Sequence, residues 1–218
     1  MVRIVYSNKD YVVAVKPYGV LSEWDPQRDN MPDELAEALG CGREQIHTVH
    51  RLDTTTEGLM VYALNKKTAA DLSQSIADGQ FSKTYLAFVT ADDCLDGSGE
   101  MRDYLFFDRR QGKSFVVTSE KRGAKEAVLT YELLEPIEWR GVRVTPARVR
   151  LLTGRTHQIR AQFASRRSPL IGDGKYGSRV NYKKPALISA ELEFVYSGKR
   201  VKYSLDGCGG YYPSDKTE

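Results

Sequence analysis

His50-Arg51-Leu52-Asp53-Thr54-Thr55-Thr56-Glu57-Gly58 runs directly into Leu59-Met60-Val61-Tyr62-Ala63-Leu64. The second half reads as a strand, and the first half as the loop that the strand holds. Catalytic side chains concentrate on loops carried by rigid elements. This loop places a carboxylate, Asp53, two residues from a cation, Arg51. A nearby arginine favours the ionised carboxylate. Three threonines offer hydrogen bonds to backbone or ligand. Gly58 frees the backbone where the chain turns into the strand. The plainer alternative is an Arg–Asp pair that only shapes a turn.

Outward from this loop, Ile4–Tyr6 and Tyr11–Val15 read as two strands joined by the turn Ser7-Asn8-Lys9-Asp10. Lys16-Pro17-Tyr18-Gly19 must leave regular structure, and residues 22–30 form a polar loop. Pro32 predicts the first helical position of a helix over 33–39, ended by Gly40. On the other side, Asn65 can cap a helix over 66–77 whose apolar positions are Ala69, Leu72 and Ile76. A strand follows over 81–90, with Lys83 and Tyr85 on one face. After an acidic loop over 91–99, strands are expected over 101–107, 114–119, 127–134 and 142–152. Pro146 marks an edge or a bulge in the last of these.

Thr153-Gly154-Arg155-Thr156-His157-Gln158-Ile159-Arg160 then reads as a turn into a helix. Ile159 and Phe163 would bury, and Thr156 and Arg160 would share another face. A helix start carrying Arg155 suits an anion. Strands over 187–196 and 201–205 follow, and residues 213–218 are expected to fray. Strands outnumbering a few interspersed helices argue an α+β fold with a mixed, largely antiparallel sheet.

The chain has 218 residues, 41% of them hydrophobic and 28% charged. That is ample for a globular core and unlike a disordered chain. The apolar runs fall well short of a membrane span, and the start lacks the apolar stretch of a signal peptide. Three dispersed cysteines, Cys41, Cys94 and Cys208, indicate no disulfide framework and fit a reducing cytoplasm. Ten of the 32 Lys and Arg lie between Arg148 and Lys184 with one acid, Asp173, leaving 22 bases against 28 acids elsewhere. Such asymmetry points to a polyanion partner or to a solvated basic surface.

Five motifs in order resemble the RluA-type family of pseudouridine synthases: Lys16-Pro17-x-Gly19; His50-Arg51-Leu52-Asp53 with Thr56-x-Gly58-Leu59; Lys83-x-Tyr85-Leu86-Ala87; Thr153 to Arg160; and Gly172-Asp173-x-x-Tyr176-Gly177. The likeness covers about residues 10–205. It implies one catalytic domain over 1–212, with a mixed sheet, flanking helices and a central cleft. It also implies the absence of an N-terminal S4 RNA-binding domain, since the first motif begins at Lys16.

By the same resemblance Asp53 is the nucleophilic carboxylate, Arg160 its guanidinium partner, and Tyr85 the ring that packs on the base and handles the C5 proton. Arg51 would fill the space left by a flipped uridine or hold that nucleotide. His50, Lys16, Arg155, Thr156, His157 and Lys175 would contact RNA. The implied partner is ribosomal or transfer RNA, bound by a monomer. An isomerisation of this kind needs no metal, nucleotide or redox cofactor.

Three positions depart from the family pattern: Glu57 for a small residue, and Gln162 and Ser189 for histidines. The latter two are expected to tune substrate choice. Cys41, His47 and His50 are too few for a tetrahedral metal site. The kinase catalytic loop has a different residue order and needs companion motifs absent here. A non-catalytic RNA-binding protein or RNA chaperone with the same fold is the rival from another class.

Overall fold

The computed structural model describes residues 2–90, 95–139 and 141–205. In chain order its elements are β1 (Arg3–Ser7), β2 (Tyr11–Lys16), α1 (Met31–Leu39), β3 (His47–Thr48), β4 (Glu57–Ala63), α2 (Lys66–Ala77), β5 (Phe81–Thr90), β6 (Ser98–Asp108), β7 (Lys113–Val117), β8 (Lys125–Leu133), β9 (Ile137–Trp139), β10 (Val142–Leu151), α3 (Gln158–Ser165), β11 (Leu187–Tyr196) and β12 (Lys199–Ser204). The acidic loop expected over 91–99 lies partly outside the described residues, and Ser98 and Gly99 already belong to β6. The tail over 213–218 lies wholly outside them. The described residues form two compact units, one of residues 2–83 and 188–205, the other of residues 84–187.

In the first unit the strand order is β1-β2-β4-β11-β12, with β3 also on β4. β2 runs antiparallel to β4 from Tyr11 opposite Ala63 to Lys16 opposite Gly58. β4 and β11 are parallel, with Gly58 beside Ser189. The other described ladders are antiparallel, so the sheet is mixed as the sequence pattern predicts. Alternation sends Val13, Leu59, Val61 and Phe194 to one face, where they bury with Leu72 of α2.

Helix ends follow the expected chemistry, with two shifts. Asn65 accepts a hydrogen bond from Thr68 N at 2.8 Å and caps α2. Asn30 caps α1 through Asp33 N at 3.0 Å, so Met31 takes the first helical position and Pro32 the second. On α2 the buried row is Thr68, Leu72 and Ser75, and Ile76 is exposed. A helical stripe follows the contact it makes, and here two small polar residues fit beneath the strands where Ile76 does not.

The second unit has the order β5-β10-β8-β6-β7, with β9 on β10. Pro146 sits inside β10, opposite Phe88 of β5. Its carbonyl accepts Leu134 N at 2.8 Å, so its ring nitrogen faces the same side, just past the end of β8. The missing N–H therefore costs no bond to β5, and no edge is needed. α3 packs beneath β6 and β8: Ala161 joins Leu105, Ala127 and Tyr176 in one cluster, and Phe163 meets Tyr131 edge-on at 5.8 Å.

Candidate active site

The loop of Asp53 is pinned from several sides within the first unit. Ser22 Oγ donates to Leu52 O and accepts from Leu52 N, both at 2.9 Å. The Ser22 carbonyl is in turn held by Tyr62 Oη at 3.0 Å. Gly19 N donates to Thr54 O at 2.9 Å, and Thr56 N to Asp53 O at 2.9 Å. Leu52 and Thr56 are buried on either side of the half-buried Asp53. The chain thus presents one carboxylate on a loop whose neighbours are locked.

Lys16 is fully buried. Its Nζ donates to Pro17 O at 2.9 Å, Val20 O at 2.8 Å and Thr54 O at 3.3 Å. The expectation that Lys16 contacts RNA is therefore wrong. A lysine at the end of an inward-facing strand position brings its charge to backbone carbonyls and ties the turn after β2 to the Asp53 loop.

His50 is corrected likewise. Its Nε2 accepts Val61 N at 3.2 Å, which places the ring proton on Nδ1. That nitrogen is buried with no hydrogen-bond partner among the described residues, and the ring packs on Phe81 at 5.1 Å. Burial pushes the imidazole well below its ordinary pKa, and the Lys83 ammonium adds to this. His50 is a neutral anchor for the start of the loop. Arg51, by contrast, projects outward, with Glu23 at 3.4 Å and both side chains largely in solvent.

Lys83 faces Asp53 electrostatically. Burial lowers its pKa, and the Asp53 carboxylate opposes that shift. The sequence signal for this residue is its place two residues before Tyr85 in the same strand.

Gly58 lets β4 and β11 meet. It has φ +117°, and a Cβ there would overlap the Ser189 backbone. Ser189 is itself buried and donates to Leu59 O at 3.0 Å. Gln162 is also buried and donates to Met101 O, Ala127 O and Asp103 Oδ2. Both side chains are buried and bonded within the protein. Glu57 opens β4, half-buried, beside Ile188.

In the second unit Tyr85 is buried on β5, opposite Val149. Arg160 is 4% exposed and gives Nε and Nη2 to Asp173 at 2.6 and 2.8 Å. Its Cζ lies 4.9 Å from the Tyr176 ring centroid. A Cβ on Gly172 would overlap the Lys184 carbonyl, so glycine there lets the chain bring Asp173 inward. Asp173 and Tyr176 lie in a motif noted in the sequence, but their task of holding Arg160 was not legible.

α3 begins only at Gln158, so Thr156 precedes the helix and does not share a helical face with Arg160. His157 has φ +54° and no capping side chain. It is half-buried, with Nδ1 at 3.1 Å from Tyr176 Oη. Arg155 is exposed and donates Nε to Glu126 O at 2.8 Å. Thr156 is exposed, and its carbonyl accepts from Ser114 Oγ. Lys175 is exposed, with Nζ 2.9 Å from Gly112 O.

The basic segment is accordingly split. Arg160 is internal and Arg166 pairs with Asp103 at 2.9 Å, whereas Arg148, Arg150, Arg167, Arg179 and Lys183 are exposed.

Residues 10–165 match the model of a family described as RNA pseudouridylate synthase. The chain is 28% identical over 216 residues to tRNA pseudouridine synthase C of Vibrio vulnificus, covering 90% of this chain and 86% of that protein. It is 29% identical over 228 residues to ribosomal large subunit pseudouridine synthase D of Zymomonas mobilis, covering 94% and 68%. Among solved structures, human RNA pseudouridylate synthase domain containing 1 superposes with a TM-score of 0.80 at 22% identity, covering 95% and 84% of the two chains. The second human structure, domain containing 4, has a TM-score of 0.75. At these identities the structural likeness speaks for the fold.

Proposed function

The chain belongs to the RNA pseudouridylate synthase family, RluA type, and isomerises uridine in RNA; from that premise we propose that Asp53 is its catalytic carboxylate, with Tyr85 and Arg160 completing the set. The reaction breaks the N1–C1′ bond, turns the base and rejoins it through C5, with the C5 proton released. An ionised carboxylate supports this by adding to the base or sugar or by stabilising a positively charged sugar. The observation that carries the assignment is the pinning of the Asp53 loop by Lys16, Gly19 and Ser22. Preorganisation of a charged group is what turnover needs, and simple affinity for RNA does not require it.

In this scheme the target uridine is flipped out of its stack, and Arg51 holds the gap or the flipped nucleotide. Its guanidinium is exposed and engaged by an exposed carboxylate, a contact worth about 0–1 kcal/mol, which RNA can displace. Tyr85 packs on the base and takes part in removing the C5 proton. Exposed Arg155, Thr156 and Lys175 contact the phosphate backbone. The substrate is a transfer or ribosomal RNA, bound by a monomer in the cytoplasm.

Purified protein and Asp53→Ala, each incubated with RNA carrying tritium at uridine C5, test the assignment. Wild type releases tritium, and the variant releases none while binding the RNA with similar affinity. A variant that retains turnover removes Asp53 from the chemistry. Loss of binding together with an inactive wild type favours the RNA-binding alternative.

A further inference from the structure

We propose that Tyr176 and His157 are positioning residues that set the direction of the Arg160 guanidinium during the isomerisation, an inference resting on the place of Arg160 in the catalytic set. Asp173 takes two N–H groups from one edge of that guanidinium. A bidentate pair fixes the group within its plane. The Tyr176 ring, 4.9 Å from Arg160 Cζ, holds its face by cation–π attraction and contact.

The ring is itself held by its hydroxyl. Tyr176 Oη accepts Ser114 N at 2.8 Å and meets His157 Nδ1 at 3.1 Å. The backbone returns to the same place, because Tyr176 N donates to Asp173 O at 2.9 Å. One turn therefore supplies both the carboxylate and the ring.

His157 joins this arrangement at a cost. A left-handed backbone is unfavourable for a residue with a Cβ, and asparagine or glycine would take it more readily. The imidazole is held edge-on between Phe107, at 6.1 Å, and Tyr176, at 5.8 Å. His157, with φ +54°, grips the Tyr176 hydroxyl three positions before Arg160, and a strained backbone held there by its surroundings fits a site that constrains this guanidinium.

Kinetics of the purified full chain on C5-tritiated RNA test the proposal, with thermal unfolding run on every variant. Tyr176→Leu removes the ring over Arg160. It should lower kcat roughly 10- to 100-fold, the scale of a small misplacement of a catalytic group, with KM little changed. His157→Gly should also lower kcat, although its backbone is relaxed. His157→Asn should recover most of the loss, because asparagine tolerates the left-handed backbone and keeps a polar atom near Nδ1. Full kcat in Tyr176→Leu, an effect confined to KM, or a fully active His157→Gly overturns the proposal. Arg160→Lys separates the two levels. If it is fully active, the role given to Arg160 falls and the positioning role falls with it. If it is impaired while Tyr176→Leu is not, only the positioning role falls.

Discussion

Asp53 and Lys16 carry opposite charges in neighbouring motifs, and their surroundings assign them different tasks. The Asp53 loop remains half-open, while the lysine is enclosed by carbonyls. Replacing Lys16 by methionine strips three carbonyls of their donor and should destabilise the fold by about 3 kcal/mol. It should leave the salt dependence of RNA affinity unchanged, because no phosphate contact is lost. Denaturant unfolding and a salt titration of binding check the two halves. His50 gives a pH prediction. Its folded pKa lies well below the ordinary 6.5 because of burial and then Lys83. As pH falls through that ordinary value, the unfolded chain takes up a proton that the folded chain refuses. Stability should drop by up to about 1.4 kcal/mol per pH unit below that point. His50→Gln should flatten the acid limb of a melting-temperature profile.

At the scale of elements, strand positions were readable and side-chain assignments at their ends were not. β5 and β11 run over the residues 81–90 and 187–196 that read as strands in the sequence. The buried partners of Lys16, His50 and Arg160 come from Thr54, Val61 and Asp173, and period-two or period-3.6 patterns carry no information about such distant polar pairs. The same limit explains α3, whose start is set by the αL residue His157 rather than by a capping side chain. The β4–β11 contact yields a sharper test. Gly58→Ala would force a Cβ against the Ser189 backbone at an unfavourable φ. The expected cost is about 3 kcal/mol, and turnover should fall because the Asp53 loop leads directly into this junction. Unchanged stability would mean that the strands separate easily there.

Across the whole molecule, the α+β class and the mixed sheet were legible, because hydrophobic alternation and turn residues agree along the chain. The charge asymmetry was informative only in part. Arg160 and Arg166 of the basic segment turn inward to Asp173 and Asp103, so a run of bases in sequence is not a single basic face. The exposed remainder should make RNA affinity fall with salt, with a log–log slope of roughly −0.7 per phosphate contact on single strands. Arg51→Ala should weaken binding or turnover while changing stability by about 0.5 kcal/mol or less, since its described partner Glu23 is a surface contact.

Mapping pseudouridine across all cellular RNA, in cells carrying either the wild-type chain or Asp53→Ala at equal protein levels, tests whether this protein makes pseudouridine with Asp53. One or a few discrete sites should lose the modification in the variant, which would identify the substrate together with the catalytic residue. Sites that depend on the protein but survive Asp53→Ala would contradict the account.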